Sequence, residues 1–411
     1  MKRQCYLVGG AVRDELLGVP FRERDWVVTG SSPEELIAEG YNQVGESFPV
    51  FLHPETREEH ALARTERKKG HGYRGFSVDF HPGVTLEEDL ARRDLTINAI
   101  ARDEHGTLID PFNGREDLDN RVLRHVSEAF VEDPLRVLRV ARFTARFARF
   151  GFKVHPSTMT LMSEIVASGE MAYLVAERCW GELEKALMTE KPSEFFLILK
   201  QCNALKALFP EIDVLFGVPQ PEKYHPEIDT GDHTMMSLDI TAEENWSAEV
   251  RFAVLVHDLG KGITDPADWP SHRNHEATGL PLVEAVCERF RAPGSYRDLA
   301  LKVCRNHLRL HRIEHMRPGK VLALIEAADL LRRPEHLEKF TSSCEADYRG
   351  RKGWSERPYP QGAFLQQALQ AAQSVKAADL DLEDLAGPEI GEKLRQARIA
   401  AIATVTAGSA E

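Results

Sequence analysis

The chain has no apolar run of membrane-spanning length, no internal repeat, no paired-cysteine spacing and no excess of positive charge. Each absence excludes something. A spanning helix needs about twenty consecutive apolar residues, and the opening Lys2-Arg3-Gln4-Cys5 reaches a glycine pair before a signal-length apolar core develops. A cytoplasmic protein with no membrane partner is expected. The six cysteines (Cys5, Cys179, Cys202, Cys287, Cys304, Cys344) form no C-x-x-C pair, which speaks against a zinc ribbon or a disulfide framework and fits reduced thiols. The net charge of −13 excludes an indiscriminate nucleic-acid coat, so any RNA or DNA must meet a local basic surface. The one biased tract is an alanine-rich helical stretch near Gln366 to Ala378.

At 411 residues the chain exceeds one ordinary core, and about two to four domains are expected. Up to about Asn120 short strands alternate with helices, with Val50 to His53, His60 to Arg64 and Thr107 to Asp110 as strand candidates. From Val131 helical periodicity dominates, and Pro134 to Phe150, Val175 to Met188 and Ser193 to Phe209 read as long amphipathic helices. The passage Gly217 to Pro226 has the composition of a linker. Beyond it the chain is rich in histidine.

The most informative stretch is Gly9-Gly10-Ala11-Val12-Arg13-Asp14 followed by Glu23-Arg24-Asp25. Cys5 to Val8 is a short apolar run, and Ala11 to Leu17 carries helix formers up to Gly18, so the pattern is strand, tight turn, helix. A glycine pair lets backbone N–H groups approach an anionic oxygen, and the helix start adds its positive end, with Arg13 as a cation. The β-branched and aromatic content from Arg24 to Thr29 favours a strand, on which Glu23 and Asp25 project to the same face. Paired carboxylates are a clamp for a hard divalent cation such as Mg2+, and such a clamp serves phosphoryl or nucleotidyl transfer. Asp110 is a third acid, read as a support for the clamp or, with more weight, as a turn-starting Asp.

Arginines follow. Arg92-Arg93-Asp94 with Asn98 on an apolar element suits triphosphate and ribose recognition. In Glu132-Asp133-Pro134-Leu135-Arg136 and onward, Arg136, Arg139, Arg142, Arg146 and Arg149 recur every three or four residues and share a helix face. A stripe of unpaired arginines beside a phosphate site favours nucleotide or RNA contact. Asp133 and Arg136, one turn apart, pair an acceptor with a donor that can read a Watson–Crick edge.

The ordered set GGAVRD, RERDW, RRDLTINA, DPFNG and EDPLRVLRVARF, extending through ERCWGELEKAL, resembles the bacterial class II tRNA nucleotidyltransferases, the CCA-adding enzymes of the DNA polymerase β superfamily. That resemblance implies an α+β protein: a polymerase β-like head with a mixed sheet, then an all-α neck, body and tail that hold the tRNA acceptor arm. It implies that Gly10 and Arg13 contact the triphosphate, Glu23 and Asp25 hold magnesium, and Arg93, Arg139 and Arg142 bind ATP or CTP. Asp133 and Arg136 would then select C or A in place of a nucleic-acid template. The departure is Glu23, where Asp is common.

A second constellation comprises His233, His257-Asp258, His272, His275, His307 and Asp347. Mixed nitrogen and oxygen donors of this kind suit a transition metal, which can promote phosphoester hydrolysis. The sequences GDHTMMSLD and HDLGKG resemble the HD phosphohydrolase superfamily. His233, His257 and Asp258 are the expected ligands, with Asp347 as fourth and Asp329 as its rival; His275 and His307 stand behind them, and Lys261 is a candidate for substrate phosphate. In CCA-adding enzymes that carry an intact HD domain, the resemblance implies phosphatase, 2′-nucleotidase and 2′,3′-cyclic phosphodiesterase activities, with Ni2+ a favoured metal.

The expected organisation is a head over residues 1–140, a helical neck and body over 141–224, an all-α HD domain over 225–350 and a helical tail over 351–411. Competing readings are a poly(A) polymerase of the same superfamily, a non-catalytic tRNA clamp, and an HD phosphohydrolase with a degenerate head. The pattern leaves a monomer or a homodimer open.

Overall fold

The computed structural model describes residues 2–21, 23–44, 50–68, 76–382 and 386–408. Arg22, inside the RERDW motif, lies outside them. The chain divides into two compact units, Met1–Ala186 with Glu194–Leu208, and Leu187–Ser193 with Phe209–Glu411.

The first unit opens with β1 (Gln4–Val8), α1 (Gly10–Leu16), β2 (Asp25–Thr29), α2 (Pro33–Ala38), β3 (Asn42–Val44), β4 (Val50–Leu52) and β5 (Glu59–Leu62). A separate hairpin, β6 (Thr65–Lys68) and β7 (Phe76–Asp79), leads to α3 (Leu86–Ala91), β8 (Ala101–Arg102), β9 (Leu108–Ile109) and α4 (Gly114–Asp119). Seven strands form one mixed sheet in the order β3-β4-β5-β2-β1-β8-β9, with β2 antiparallel to β1 and parallel to β5. Strand alternation sorts the core. Tyr6, Val8 and Val27 pack on one face with Leu90 of α3, while Val28 and Leu62 pack on the other with Leu36 of α2. The strands expected from composition are present but shorter than read. Asp110 accepts from the backbone N–H groups of Gly114 and Arg115 at 2.7 and 2.9 Å. It starts a turn into α4 and is not among the residues lining the carboxylate pocket described below.

The helical part of this unit begins around a two-strand pair, β10 (Val122–Leu123) with β11 (Lys153–Val154), whose strands flank its first helix. It contains α5 (Leu135–Arg146), α6 (Pro156–Ala167), α7 (Ala176–Leu187), α8 (Ser193–Gln201) and α9 (Ala204–Leu208). The helix expected to run to Phe150 stops at Arg146 and tightens into a 3-10 turn closed by Gly151 at φ 78°. The one expected from Ser193 to Phe209 is broken, because Asn203 adopts φ 62° and divides it into α8 and α9. An asparagine tolerates the left-handed region and so ends helices.

The second unit is helical: α10 (Pro210–Asp213), α11 (Thr230–Glu243), α12 (Ala248–Val256), α13 (His275–Thr278), α14 (Leu280–Phe290), α15 (Gly294–His311), α16 (Pro318–Ala327), α17 (Leu337–Arg349), α18 (Pro360–Ser374) and α19 (Gly387–Gly408). Residues Val250 to Val256 of α12 are all buried, as a helix apolar on every side requires, and α11, α15 and α17 pack around it. The passage read as a linker is not one. Val218 and Gln220 are buried, His225 nearly so, and Pro219 forms a bridge to Asp229. Proline and glycine there shape a packed turn, which composition alone does not distinguish from a free tether.

Among the described residues no helix is long and apolar enough to cross a membrane. All six cysteines are free. Burial pushes Cys179 and Cys304 up to about 12 and Cys287 to about 11, and a thiol is nucleophilic only as thiolate. In a thiol titration of the native protein, half-buried Cys5 is the one residue expected to react readily, with all six reacting after denaturation; fast reaction of several native thiols would contradict this packing.

Candidate functional sites

Register sets the first site. Val8, the last residue of β1, pairs directly with Asp25, the first of β2, so the glycine turn leaves the sheet beside the carboxylate. Gly9 sits at φ 68°, so the position favours glycine for conformation, and its open side lies against the Arg93 guanidinium. Glu23 lies just ahead of the strand, yet both carboxylates line a cavity of about 730 Å³ with Gly9, Gly10 and a basic wall. They also border a second recess of about 340 Å³ lined further by Arg24, Thr56, Arg57, Glu58 and Glu59. Desolvation raises the Asp25 carboxyl, Arg93 opposes, and Glu23 raises it further. Two neighbouring carboxylates offering only oxygen fit a hard divalent cation, whose charge would relieve that repulsion.

Ten basic residues line the larger cavity against four acidic ones. Arg93, Asp133, Arg136, Arg139 and Arg142 are all among them, as predicted. The arginine stripe, however, is paired. Arg139 Nε bonds Asp94 at 2.7 Å, Arg142 Nε bonds Glu182 at 2.5 Å and Arg146 bonds Asp14 at 2.7 Å. Burial would raise Asp94, but Arg139 and the Asn98 amide hold it well below the usual carboxylate range. These acids come from α1, α7 and the segment after α3, so no local periodicity could show them. Glu182 was missed, although its i, i+4 spacing from Arg178 on α7 was a readable signal.

Arg13 also differs from its expected role as a free cation. It is buried, donates to Asp14 at 2.8 Å and to Asn98, and its guanidinium lies 5.1 Å from the ring centres of both Phe143 and Phe147. Burial lowers it to about 10, so it stays cationic at neutral pH and still faces the cavity. Asp133 pairs with Arg178 at 2.7 Å, while Arg136 donates to the Ala129 carbonyl at 2.6 Å and to that of Arg92.

The second site lies within the helical unit. His257 caps the buried end of α12, and a Cβ on Gly260 would sit 2.0 Å from the His275 carbonyl, so the turn after Asp258 closes on α13 only with glycine. His257, His275 and His307 each donate Nδ1–H to a backbone carbonyl, of Val254 at 2.6 Å, His272 at 2.8 Å and Cys304 at 3.0 Å. That leaves three Nε2 atoms turned inward. His257 Nε2 lies 3.2 Å from Asp258 Oδ2 and 3.6 Å from Asp347 Oδ1, and His275 Nε2 lies 3.2 Å from Asp258 Oδ1. His233 Nε2 approaches Asp347 Oδ1 at 3.0 Å.

Burial lowers His257, but Asp258 and Asp347 outweigh it and hold the imidazole up at about 10; burial drives His307 down to about 3. Buried His257 Nε2 and Asp258 Oδ1 have no hydrogen-bond partner. Convergent imidazole and carboxylate donors, two of them unpartnered, fit a divalent transition metal.

Asp347 therefore joins His233, His257 and Asp258, with His275 and His307 beside them. Asp329 does not: it follows α16 at φ 59° and faces Arg332 and Arg333 at 3.4 and 3.8 Å. Lys261 bonds Asp258 at 2.6 Å and also reaches Gln220. His272 is tied to Thr264 and the Pro219 carbonyl, both at 2.7 Å. Reading the sequence missed His225, Glu227 and His311. Glu227 lies 3.0 Å from Nδ1 of both His225 and His233, and His311 Nε2 bonds Asp347 Oδ2 at 2.7 Å. His311 follows His307 by one helical turn, a signal that was available; His225 was hidden in the supposed linker, and Glu227 directly follows it.

Three family models match in order: a poly A polymerase head domain over residues 5–124, a probable RNA and SrmB binding site of polymerase A over 151–216, and an HD domain over 230–379. A multifunctional CCA protein of Thioalkalivibrio sulfidiphilus is 59% identical over 400 residues, covering 97% of this chain and 98% of its own. One from Hahella chejuensis is 53% identical over 399 residues, covering 97% and 94%. The chain belongs to the multifunctional CCA protein family. A Thermotoga maritima CCA-adding enzyme complexed with tRNA has the same fold, at 20% identity and a TM-score of 0.60, over 99% of this chain and 91% of its own. The head model falls within the first unit and the HD model within the second, while the RNA-binding model lies mostly in the first and runs into the second at Leu187–Ser193 and beyond Leu208.

Proposed function

We infer that this chain adds and repairs the 3′-terminal CCA of tRNA by transferring CMP and AMP from CTP and ATP, and that its HD unit hydrolyses phosphoesters at RNA or nucleotide ends. One observation carries the first part: the glycine turn, the acidic pair and the arginine set all line a single cavity. The names and near-complete overlap of the relatives support it.

In this reading Gly10 and Arg13 face the triphosphate, and Arg93, Arg139 and Arg142 hold its charge once they exchange carboxylate partners for phosphate oxygens. Asp133 and Arg136 present an acceptor and a donor to the base. The 3′-hydroxyl gives its proton to solvent as its oxygen bonds to the α-phosphorus, the bond from that phosphorus to the bridging oxygen breaks, and pyrophosphate leaves. A divalent cation held by Glu23 and Asp25, with Mg2+ the chemical fit, supplies Lewis-acid stabilisation of the phosphoryl charge.

At the second site His233, His257, Asp258 and Asp347 would hold a transition metal, Ni2+ by preference, which supplies Lewis-acid activation of a phosphoester. Lys261 orients Asp258. The division into a head (1–140), a neck and body (141–224), an HD domain (225–350) and a tail (351–411) assigns these two chemistries to separate parts. A cytoplasmic monomer or homodimer is the accompanying reading.

The test is direct. With tRNA lacking its 3′ end, Mg2+ and CTP, two C residues are expected; with ATP also present, addition should stop after C, C, A. A long A tract would move the head to polyadenylation, and no addition would make it a tRNA clamp.

A further inference from the structure

We propose that the segment Tyr348 to Tyr359 is the nucleoside-binding wall of the histidine site, where Trp354 stacks on a base while Arg351, Lys352 and Arg357 hold the attached phosphate. The ligand class is a nucleotide or the 3′-terminal nucleotide of an RNA. The proposal rests on the phosphoester hydrolysis inferred above.

The segment is fastened to that site at two points. Its first aromatic, Tyr348, follows Asp347 on α17; its last, Tyr359, places its hydroxyl 3.0 Å from His311 Nδ1, whose other nitrogen bonds Asp347 at 2.7 Å. Between them, Lys352 N donates to Glu227 Oε2 at 3.1 Å, and Glu227 Oε1 lies 3.0 Å from His233 Nδ1. The segment thus borders both His233 and Asp347.

Its chemistry is not that of a structural clip. Tyr348 packs 5.0 Å from Trp354 and 5.3 Å from Tyr359, forming an aromatic ledge. Arg351 lies 4.9 Å and exposed Arg357 3.9 Å from the Trp354 ring centre. Arg349 shows what a structural arginine does here: it pairs with Glu244 and Glu345 at 2.7 and 2.9 Å and donates to the Ser355 carbonyl. Among the described residues, Arg351, Lys352 and Arg357 have no carboxylate within ion-pair distance, and Arg351 Nε is buried without a hydrogen-bond partner. Three uncompensated cations on a half-exposed aromatic ledge, in a chain of net charge −13, mark a place for an anion with a ring. Base-on-aromatic stacking with arginine is how single-stranded nucleic acid is held without reading its sequence.

The full-length, metal-loaded protein tests this with 2′-AMP binding by calorimetry under saturating CTP, which occupies the head. Trp354→Ala should weaken 2′-AMP about tenfold, the scale of one stacking contact. Trp354→Phe should restore most of the affinity, and Arg357→Ala should weaken it several-fold. In hydrolysis assays Trp354→Ala should raise KM for 2′,3′-cyclic AMP while leaving turnover of ring-free β-glycerophosphate unchanged. A parallel loss in tRNA ending in a 2′,3′-cyclic phosphate identifies an RNA end as the ligand; loss confined to cyclic AMP identifies a free nucleotide. Unchanged 2′-AMP affinity in Trp354→Ala, or an equal fall on β-glycerophosphate, overturns the proposal. If the wild type hydrolyses no ester yet binds 2′-AMP through Trp354, the hydrolase reading fails and the ledge stands.

Discussion

Asp25→Asn is expected to lower CMP and AMP transfer by at least about a thousandfold, because a cation clamp contributes several kcal/mol of transition-state stabilisation and each 1.36 kcal/mol is a factor of ten. The fold should survive. Asp25 begins β2 through backbone pairing with Val8, which an amide leaves intact. Its carboxyl is already raised by desolvation and by Glu23, so neutralising it removes a repulsion. Thermal unfolding should therefore be unchanged or slightly later, and β-glycerophosphate hydrolysis by the other unit should persist. Glu23→Asp should cost far less, since either length offers oxygen; wild-type transfer by Asp25→Asn would remove the acidic pair from the mechanism.

His257→Ala is expected to abolish phosphoester hydrolysis while leaving CCA addition intact. The imidazole stands between Asp258 and Asp347. Without it, two buried carboxylates lose the imidazole that approaches both, and breaking a buried charge pair costs about 3–5 kcal/mol. The variant should melt earlier than the wild type when both are metal-free, and it should retain less metal after dialysis. Full hydrolysis together with normal metal content would show that the cluster is not the site.

The residues that line the larger cavity were more legible than those that hold them. Glycine pair, acidic pair and arginine spacing are local patterns, and each led to the cavity. Their partners are not local: Asp94, Glu182 and Asp14 neutralise three arginines from three separate elements. A helical wheel shows that like charges share a face and cannot show what faces them. The same limit hid His225 and the Glu227 that follows the passage, because proline-rich composition describes both a tether and a packed turn. Asn203 broke a helix that apolar periodicity carried straight through, since one residue at φ 62° changes direction without changing hydrophobicity.

The pairing of Val8 with Asp25 has a consequence for folding. Side chains alternate along a strand, so a slip of β2 by a single residue would turn Asp25 to the opposite face together with Val27. The same slip would exchange Val27 and Val28 between the two buried faces, so the packing that folds the head also enforces the side on which its carboxylate stands.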